Sequence, residues 1–337
     1  MPNETERLLT PARAGREAVI WEMERNPNIL FIGEDVVHMG GVFNTATGLA
    51  TQFPGRVIDT PISETGFFGI AAGAAMDGMR PIVELAFADF MAVCLNPIVN
   101  YAAKTHYMSN GQFKVPMVIM IGAGGGYNNG AEQSQCLYSV LAHFPGIKVA
   151  VPSNSYDAKG LVHAAIRDDN PVAIMYHKAT MGVPWLGTPL PTIINHVPET
   201  DYVVPLGSAK VVREGSDVTI VGLAWTVHQA LLAADTLLER GISAEVVDLR
   251  SLVPLDKTTL VHSVRKTGRL VVTDEDYLSY GMTGEVVASI VEADVSMFKA
   301  PPRRVAYPDV PPPASRSLEG MCMPDASKIV KAVLEIL

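Results

Sequence analysis

The stretch Met117-Val118-Ile119-Met120-Ile121 is a run of apolar residues, and Gly122-Ala123-Gly124-Gly125-Gly126 follows it directly. The apolar run predicts a β-strand. On both sides of it the chain alternates similar short runs with longer helical patterns, which is typical of a parallel sheet covered by helices on both faces. We therefore expect an α/β fold. Further strands are predicted at Ile29–Ile32, Pro81–Ala86, Val149–Val151 and Ala173–Met175, and helices at Gly66–Met76, Met91–Thr105, Ser134–His143 and Tyr156–Arg167.

The length of 337 residues predicts two domains. Four prolines and two glycines interrupt the helix and strand pattern between Lys178 and Thr200, and we interpret this segment as a connection. We expect a first domain at 1–185, a linker at 186–205 and a second doubly wound domain at 206–337. The second domain has predicted strands at Val218–Gly222, Ala244–Asp248 and Leu270–Thr273, and predicted helices near Val227–Arg240, Lys257–Lys266, Gly284–Ala293 and Asp325–Ile336.

Composition excludes several classes of partner. With 26 Lys+Arg against 35 Asp+Glu the formal charge is −9, and no basic cluster is longer than Arg303-Arg304, so nucleic acid is not expected. No window approaches 18 uninterrupted apolar residues, so a membrane is not expected either. The three cysteines have no Cys-x-x-Cys spacing, which predicts neither disulfides nor a zinc site and favours the cytoplasm. The hydrophobic fraction of 48% suggests buried subunit interfaces.

The glycine-rich stretch Gly122–Gly130 has two interpretations. It lacks the Gly-x-Gly-x-x-Gly spacing of a dinucleotide site, and the chain has no Gly-x-x-x-x-Gly-Lys-Ser/Thr loop. The glycines indicate backbone amides that are open to a ligand or another chain. A flexible surface loop explains them equally well.

Polar signatures lie near the carboxyl ends of predicted strands, where open α/β sheets bind ligands. These signatures are Gly33-Glu34-Asp35, Asp59-Thr60-Pro61-Ile62-Ser63-Glu64, Glu84-Leu85-Ala86-Phe87-Ala88-Asp89-Phe90 and Gly130-Ala131-Glu132-Gln133-Ser134-Gln135. A single carboxylate such as Glu64 is more often a helix-start residue than a catalytic one. Together the signatures are more specific.

These signatures, with Ala102-Ala103-Lys104-Thr105, Pro145-Gly146-Ile147-Lys148-Val149 and Asp248-Leu249-Arg250-Ser251-Leu252-Val253-Pro254, resemble the beta subunits of thiamine-diphosphate-dependent 2-oxo acid dehydrogenases. That family contains the first components of pyruvate, branched-chain 2-oxo acid and acetoin dehydrogenases. The stretch Pro152–Gly160 looks most similar to the acetoin type. The resemblance implies a thiamine-diphosphate-binding pyrimidine domain followed by a transketolase-type C-terminal domain.

The resemblance also implies roles for single residues. A glutamate at the position of Glu64 hydrogen-bonds a pyrimidine ring nitrogen of the cofactor and favours its imino tautomer, a task that suits a carboxyl group because it shares a proton readily. The cofactor then serves as the electron sink for decarboxylation of a 2-oxo acid or cleavage of acetoin. Phe90 matches an aromatic residue that packs against the aminopyrimidine. Further cofactor-lining positions are matched by Glu34, Ile62, Ser63 and Ala86.

Gln133 departs from the family pattern, which has histidine in the substrate pocket at this position. A glutamine side chain donates and accepts hydrogen bonds but does not titrate near neutral pH. Either another group supplies the proton or the reaction differs from lipoyl-dependent oxidation. His106 is a substitute by residue type, although a histidine satisfied at a helix interface is the simpler interpretation.

The chain lacks the Gly-Asp-Gly motif through which related proteins hold the cofactor diphosphate and Mg²⁺. The resemblance therefore implies an alpha subunit that carries this motif, a second beta subunit, and a dihydrolipoyl acyltransferase core as a further partner. Ala165, Asp168 and Asn170 match a stretch that binds K⁺ in some members, although a helix C-terminal turn explains the same residues.

Two alternatives to a dehydrogenase subunit stay open. One is a split transketolase-like carbon–carbon ligase or lyase, for which Gln133 is the main reason. The other is a non-catalytic scaffold that docks an acyltransferase core, which the presence of Glu64 disfavours.

Overall fold

The structure is a computed structural model that describes residues 7–182 and 193–337. Its strands are β1 (Leu8–Leu9), β2 (Ile29–Gly33), β3 (Val57–Asp59), β4 (Arg80–Leu85), β5 (Val118–Ala123), β6 (Lys148–Ala150), β7 (Val172–His177), β8 (Asn195–His196), β9 (Lys210–Arg213), β10 (Val218–Gly222), β11 (Ala244–Asp248), β12 (Ser251–Val253), β13 (Leu270–Tyr277) and β14 (Arg303–Tyr307). Its α-helices are α1 (Pro11–Arg25), α2 (Leu49–Gln52), α3 (Glu64–Met76), α4 (Met91–Asn96), α5 (Thr105–Met108), α6 (Tyr138–Ala142), α7 (Ser155–Arg167), α8 (Trp225–Leu238), α9 (Lys257–Thr267), α10 (Met282–Ala293), α11 (Arg316–Cys322) and α12 (Ala326–Leu334). Single turns of other helix types lie at Ala88–Phe90, Pro97–Ala102, Lys178–Thr180 and Val295–Met297.

Two mainly parallel sheets organise the described chain. The first has seven strands in the order β12-β6-β7-β5-β4-β2-β3, and the second has five in the order β14-β13-β10-β11-β9. Only the edge strands β12 and β9 run antiparallel to their neighbours. The predicted α/β fold with two doubly wound units is thus confirmed.

Alternating side chains of the first sheet pack into two separate cores. On β5, Ile119 and Ile121 belong to one hydrophobic cluster with Phe68 of α3, whereas Val118 and Met120 belong to another. Successive side chains on a strand point to opposite faces, so a strand without polar residues requires helices on both sides.

The two sheets are joined through β12. This strand comes from the second half of the chain, yet it pairs with β6 at the edge of the first sheet. An ion pair of 2.9 Å between Arg250 and Asp157 lies next to it, and the Ser153 hydroxyl donates to the carboxylate of Asp248. The domain bounds 1–185, 186–205 and 206–337 stay a prediction, and residues 183–192 lie outside the described chain.

Part of the predicted connection is ordered by pairing. The expectation that no strand forms between Lys178 and Thr200 is wrong for the described part, because β8 pairs antiparallel with β1. A strand this short has no periodicity of its own, so only its distant partner reveals it.

The single helix predicted at Met91–Thr105 is wrong. The structure divides it into α4, the turn Pro97–Ala102 and α5. Pro97 has no N–H to donate to the carbonyl of Val93, and that carbonyl accepts a 2.6 Å hydrogen bond from the hydroxyl of Thr65 instead. The helix predicted at Ser134–His143 shortens to α6, because Leu137 takes a left-handed φ of 53°.

Within the described ranges 7–182 and 193–337, no helix is long and apolar enough to cross a membrane.

Candidate functional site

The carboxyl ends of five parallel strands form one edge of the first sheet. Glu34 follows β2, Glu64 begins α3 after β3, Phe90 follows β4, Gln133 lies on the loop after β5, and Lys178 follows β7. Parallel strands end at the same edge, and the strand order β7-β5-β4-β2-β3 places these segments side by side. The structure therefore brings four sequence-predicted site residues to one edge and adds Lys178.

Glu64 is the first residue of α3 and only 8% exposed. The N–H groups of a first helical turn have no partner within the helix, and they favour a negative charge at this point. Ser63 before it is exposed, and Ile62 is 84% exposed. The carboxylate is therefore held in the protein while the two residues before it face outward.

Glu34 and Glu64 lie close enough for their negative charges to interact. Burial, together with the negative charges of Glu64 and Asp35, raises the pKa of Glu34 to about 7. Burial also raises the pKa of the Cys94 thiol to about 12, with contributions from Glu64 and Glu34, so these three side chains are neighbours.

One oxygen of Glu34 needs a hydrogen-bond donor. Its Oε1 atom is buried and has no partner within the described chain. A buried acceptor without a donor costs free energy. The amino group or a protonated ring nitrogen of a bound heterocycle supplies such a donor, so the Glu34 carboxyl group fits an aminopyrimidine.

The predicted cofactor residues after β4 form a partly open, partly apolar surface. The rings of Phe90 and Phe87 meet edge to face with centroids 5.5 Å apart. Phe90 and Ala86 are both partly exposed, which leaves apolar surface for a flat ring. Gly122 approaches closely here, since a Cβ atom on it would lie 2.5 Å from the carbonyl oxygen of Ala86.

The interpretation of Gly122–Gly130 as a flexible surface loop is wrong. Most of its residues are buried, and its amides are directed at two carboxylates from the second half of the chain. The amide of Gly125 donates to Glu275 at 2.6 Å, and the amides of Gly126 and Asn128 donate to Glu319 at 3.1 and 3.0 Å. A Cβ atom on Gly125 would lie 2.8 Å from a carboxylate oxygen of Glu319, and one on Gly124 would lie 2.6 Å from the ring of His177, so both positions require glycine. The backbone amides that the sequence predicts to be open to a ligand or another chain thus bind carboxylates of the same chain.

Gln133 is half-buried, and its side-chain oxygen accepts a hydrogen bond of 3.1 Å from the Asn129 amide. Its backbone oxygen accepts a hydrogen bond from the ammonium group of Lys178. Two residues further on, Gln135 binds Asp89 through its side chain at 2.9 Å and through its backbone amide at 3.3 Å. The loop after β5 is thus tied to the turns after β4 and β7.

Lys178 is a site residue that the sequence interpretation missed. It is fully buried, and its ammonium lies 4.8 Å from the ring centroid of Phe87 and 5.3 Å from that of Tyr127. Within the described chain no carboxylate lies within ion-pair distance of it. The available signal was its place three residues after the predicted strand Ala173–Met175, near a strand end like the other site segments.

His106 lies on α5, where its side chain is exposed and its Nδ1 atom contacts the carbonyl oxygen of Phe113 at 2.9 Å. This contact lies within the local loop. It gives the ring no link to Gln133, and a proton-transfer role for His106 gains no support.

Ala165, Asp168 and Asn170 lie together at the end of α7. One oxygen of the Asp168 carboxylate accepts a hydrogen bond of 2.5 Å from Lys148, and the other oxygen accepts one from the side-chain amide of Asn170. The backbone oxygen of Asp168 accepts a hydrogen bond from Arg80. Lys148, Asn170 and Arg80 therefore already bind these three oxygens of Asp168, and these contacts weigh against a K⁺ ion there.

Among the described residues, no group of three or more His, Cys, Asp or Glu side chains could hold a metal ion.

Comparisons with known proteins agree on the family of the chain. Models of the transketolase pyrimidine-binding domain and the transketolase C-terminal domain match residues 9–183 and 207–329. The chain is 41% identical to the beta subunit of acetoin:2,6-dichlorophenolindophenol oxidoreductase of Cupriavidus necator, over 97% of this chain and 96% of that one. It is 41% identical to the 2-oxoisovalerate dehydrogenase beta subunit of Bacillus subtilis, over 94% of each. It is 42% identical to a mitochondrial pyruvate dehydrogenase E1 beta subunit of Oryza sativa, over 96% of this chain and 85% of that one.

A solved structure titled as an inactive beta4 tetramer of a split-gene transketolase superposes with a TM-score of 0.79 at 27% identity, over 98% of each chain.

Proposed function

The chain belongs to the family of E1 beta subunits of pyruvate, 2-oxoisovalerate and acetoin dehydrogenases, and from this membership we propose that it contributes the pyrimidine-binding half of a thiamine-diphosphate site. In this role the enzyme decarboxylates a 2-oxo acid or cleaves acetoin and passes the product unit to a lipoyl group or another acceptor. The observation that carries the proposal is the interacting pair Glu34 and Glu64, with one buried Glu34 oxygen unpartnered in the described chain, at the strand edge where Phe90 also lies.

Thiamine diphosphate, when bound, supplies the carbanion and the electron sink that no side chain provides. Glu64 would bind a ring nitrogen, and Phe90 and Ala86 would contact the ring face, with Ile62 and Ser63 at the rim. Glu34 retains a proton near neutral pH, since its pKa is raised to about 7, and its unpartnered oxygen is available to the ring. Two interacting carboxyl groups can share a proton between them.

The diphosphate and Mg²⁺ would be held by an alpha subunit that carries Gly-Asp-Gly, and activity would require that subunit. Exposed apolar side chains near Glu64 support such a contact. They are Ile62, Ile70 and Val93, which are 84%, 67% and 55% exposed. On α3, the helix that begins at Glu64, Cβ atoms on Gly69 and Gly73 would meet nothing within 4 Å, so another backbone has room to approach. Apolar surface of this kind marks an interaction site.

A second beta subunit and an acyltransferase core are further proposed partners. Tyr107, Met108 and Tyr280 are 89%, 65% and 99% exposed, which provides apolar surface beyond that of the alpha contact. We place the assembly in the cytoplasm because the three cysteines are free. Potassium at Ala165, Asp168 and Asn170 is a prediction that the contacts of Asp168 with Lys148 do not support.

A split transketolase-like ligase is the second candidate. Gln133 favours it, because an amide cannot transfer a proton as histidine does. The structural match to a split-gene transketolase is compatible with this candidate, but the dehydrogenase subunits match at higher identity.

Co-expression with the alpha subunit provides the test. The purified assembly, with thiamine diphosphate and Mg²⁺, is supplied with 2-oxo acids or acetoin and an artificial electron acceptor. Reduction of the acceptor is expected. Carbon–carbon ligation without reduction would favour the ligase, and no turnover by either route, with Glu64→Ala changing nothing, would leave the scaffold.

A further inference from the structure

Lys178 is a buried cation at the strand edge to which the proposed function gives no role. Its side chain is fully buried at the end of β7, and its stem packs beside Gly122, where a Cβ atom would lie 2.9 Å from Cγ of the lysine. Gly122 also contacts Ala86 and Phe43 closely. The lysine stem therefore passes through a closely packed part of the site.

The surroundings of the ammonium group are unusual for a structural lysine. Its observed hydrogen bond goes to the backbone oxygen of Gln133, and the rings of Phe87 and Tyr127 flank it. Desolvation of a charge without an ion pair costs free energy, and ring faces offset only part of that cost. Retention of the cation at such a cost points to a functional reason.

The contacts of Lys178 connect it to both predicted parts of the site. Phe87 packs against Phe90, the proposed cofactor-stacking residue. The Gln133 backbone, held by the ammonium, carries the side chain that replaces the family histidine. One side chain thus fixes the position of Gln133 relative to the ring that receives the cofactor.

We propose that Lys178 is a positioning residue: its ammonium group holds the backbone carbonyl of Gln133 and fixes the loop 124–135 against Phe87 and Phe90. The placement of the Gln133 side chain over the substrate depends on this contact. The inference rests on the proposed function for the meaning of Gln133, but the contact itself is independent of it.

The charges around Lys178 make its effect dependent on pH. Burial lowers the pKa of Lys178 to about 8, and Asp89, Cys136, Glu275 and Glu319 oppose this shift. Tyr127 faces it from the glycine loop, and burial raises the pKa of that phenol. Above about pH 8 the lysine loses its charge. The contact with Gln133 should weaken there.

Hydrogen–deuterium exchange of the two-subunit complex tests the contact without requiring turnover. Lys178→Met keeps the length of the side chain and removes the donor and the charge. We expect amides in 124–135 to exchange at least about tenfold faster, because the loss of a hydrogen bond to a charged group changes an opening equilibrium by about that factor. The peptide covering β10 should not change. Lys178→Arg, which keeps donor and charge, should restore slow exchange in part.

Kinetics separate positioning from a merely structural role. For Lys178→Met we expect kcat to fall about tenfold with KM changed less than about twofold, since an interaction used in the transition state is weakened. The fall of kcat above about pH 8 in the wild type should also be absent from the variant. Lys159→Met, the matched loss of another fully buried lysine, should leave kcat unchanged.

Exchange in 124–135 and kcat that both equal those of the wild type would overturn the proposal. If Lys178→Met does not fold, Lys178→Gln replaces it, because it removes the charge with less change in polarity. A wild-type complex without turnover would contradict the proposed function, and the exchange comparison would still decide the role of Lys178.

Discussion

In the described range 7–182 two lysines are fully buried, and each lies between two aromatic rings. Lys159 of α7 lies 5.3 Å from the ring centroids of Trp21 and Tyr202. Its ammonium pairs with Glu17 at 2.7 Å and donates to two backbone oxygens, at 2.7 and 3.2 Å. Lys178, at the strand edge, has one backbone acceptor and no carboxylate within ion-pair distance in the described chain.

The difference distinguishes the stabilising region around Lys159 from the region proposed as the cofactor site. Around Lys159 the charges compensate each other: burial alone would raise the pKa of Glu17, but Arg7 and Lys159 outweigh it and hold that pKa below its usual value. At the strand edge, compensation is incomplete. Oε1 of Glu34 and Oδ2 of Asp89 are buried without partners in the described chain. Buried groups left unsatisfied are expected where a ligand completes the structure.

The largest expected effect on stability comes from Lys159→Met. We expect the free energy of unfolding to fall by about 3 kcal/mol, because the variant loses the buried ion pair and both backbone hydrogen bonds of the ammonium group and leaves only Arg7 to pair with Glu17. Urea denaturation followed by circular dichroism measures it. A midpoint equal to that of the wild type would mean that the two lysines do not differ in the way described.

The next effect concerns Gln133, on the functional side of the comparison. Gln133→His should raise the rate of lipoyl reduction by about tenfold to a hundredfold, since general acid–base catalysis contributes at least that much. Reduction of an artificial acceptor serves as the control, and it should change little. If the rate of lipoyl reduction is unaffected, the replacement of the family histidine by Gln133 does not change proton transfer in the reaction.

The smallest expected effect comes from Glu34→Gln. The pKa of Glu34 is about 7 in the folded chain and lower when unfolded, so the folded state binds more protons between these values. The stability contribution is therefore present at low pH and is lost as the pH rises toward 7. Glutamine cannot ionise, so Glu34→Gln does not lose stability as the pH rises. We expect the Tm of this variant to exceed that of the wild type at pH 8, and by only about 1–2 °C because solvent screens a partly exposed group. At pH 4.5 the difference should vanish, and an equal difference at both pH values would contradict the assignment.

Much of the fold follows from the sequence because its signals are local. Strands such as Val218–Gly222 and Ala244–Asp248 were predicted with their observed bounds. The elements that were missed depend on distant partners, as β12 does when it completes the sheet of the other half of the chain. Pro97 within a helical pattern was a visible warning that the prediction of one helix at Met91–Thr105 ignored.

The site was predictable where a strand-end rule or a family motif applied, and Glu34, Glu64, Phe90 and Gln133 do lie at one edge. Lys178 was assigned to the connection because the prolines beyond it dominate the local pattern. The carboxylates Glu275 and Glu319 could not be predicted, since their contact with the glycine loop joins residues that are 150 and 193 positions apart.

Glu64→Gln tests the central claim most directly, because it keeps the shape of the side chain and removes its ability to exchange a proton. The two-subunit enzyme is assayed with saturating thiamine diphosphate and Mg²⁺, with acetoin or 2-oxo acids and an artificial acceptor. We expect kcat to fall at least about a thousandfold, within the range of a lost general acid–base group, while cofactor binding measured by calorimetry persists. A variant that keeps more than a tenth of the wild-type rate would contradict a site centred on Glu64.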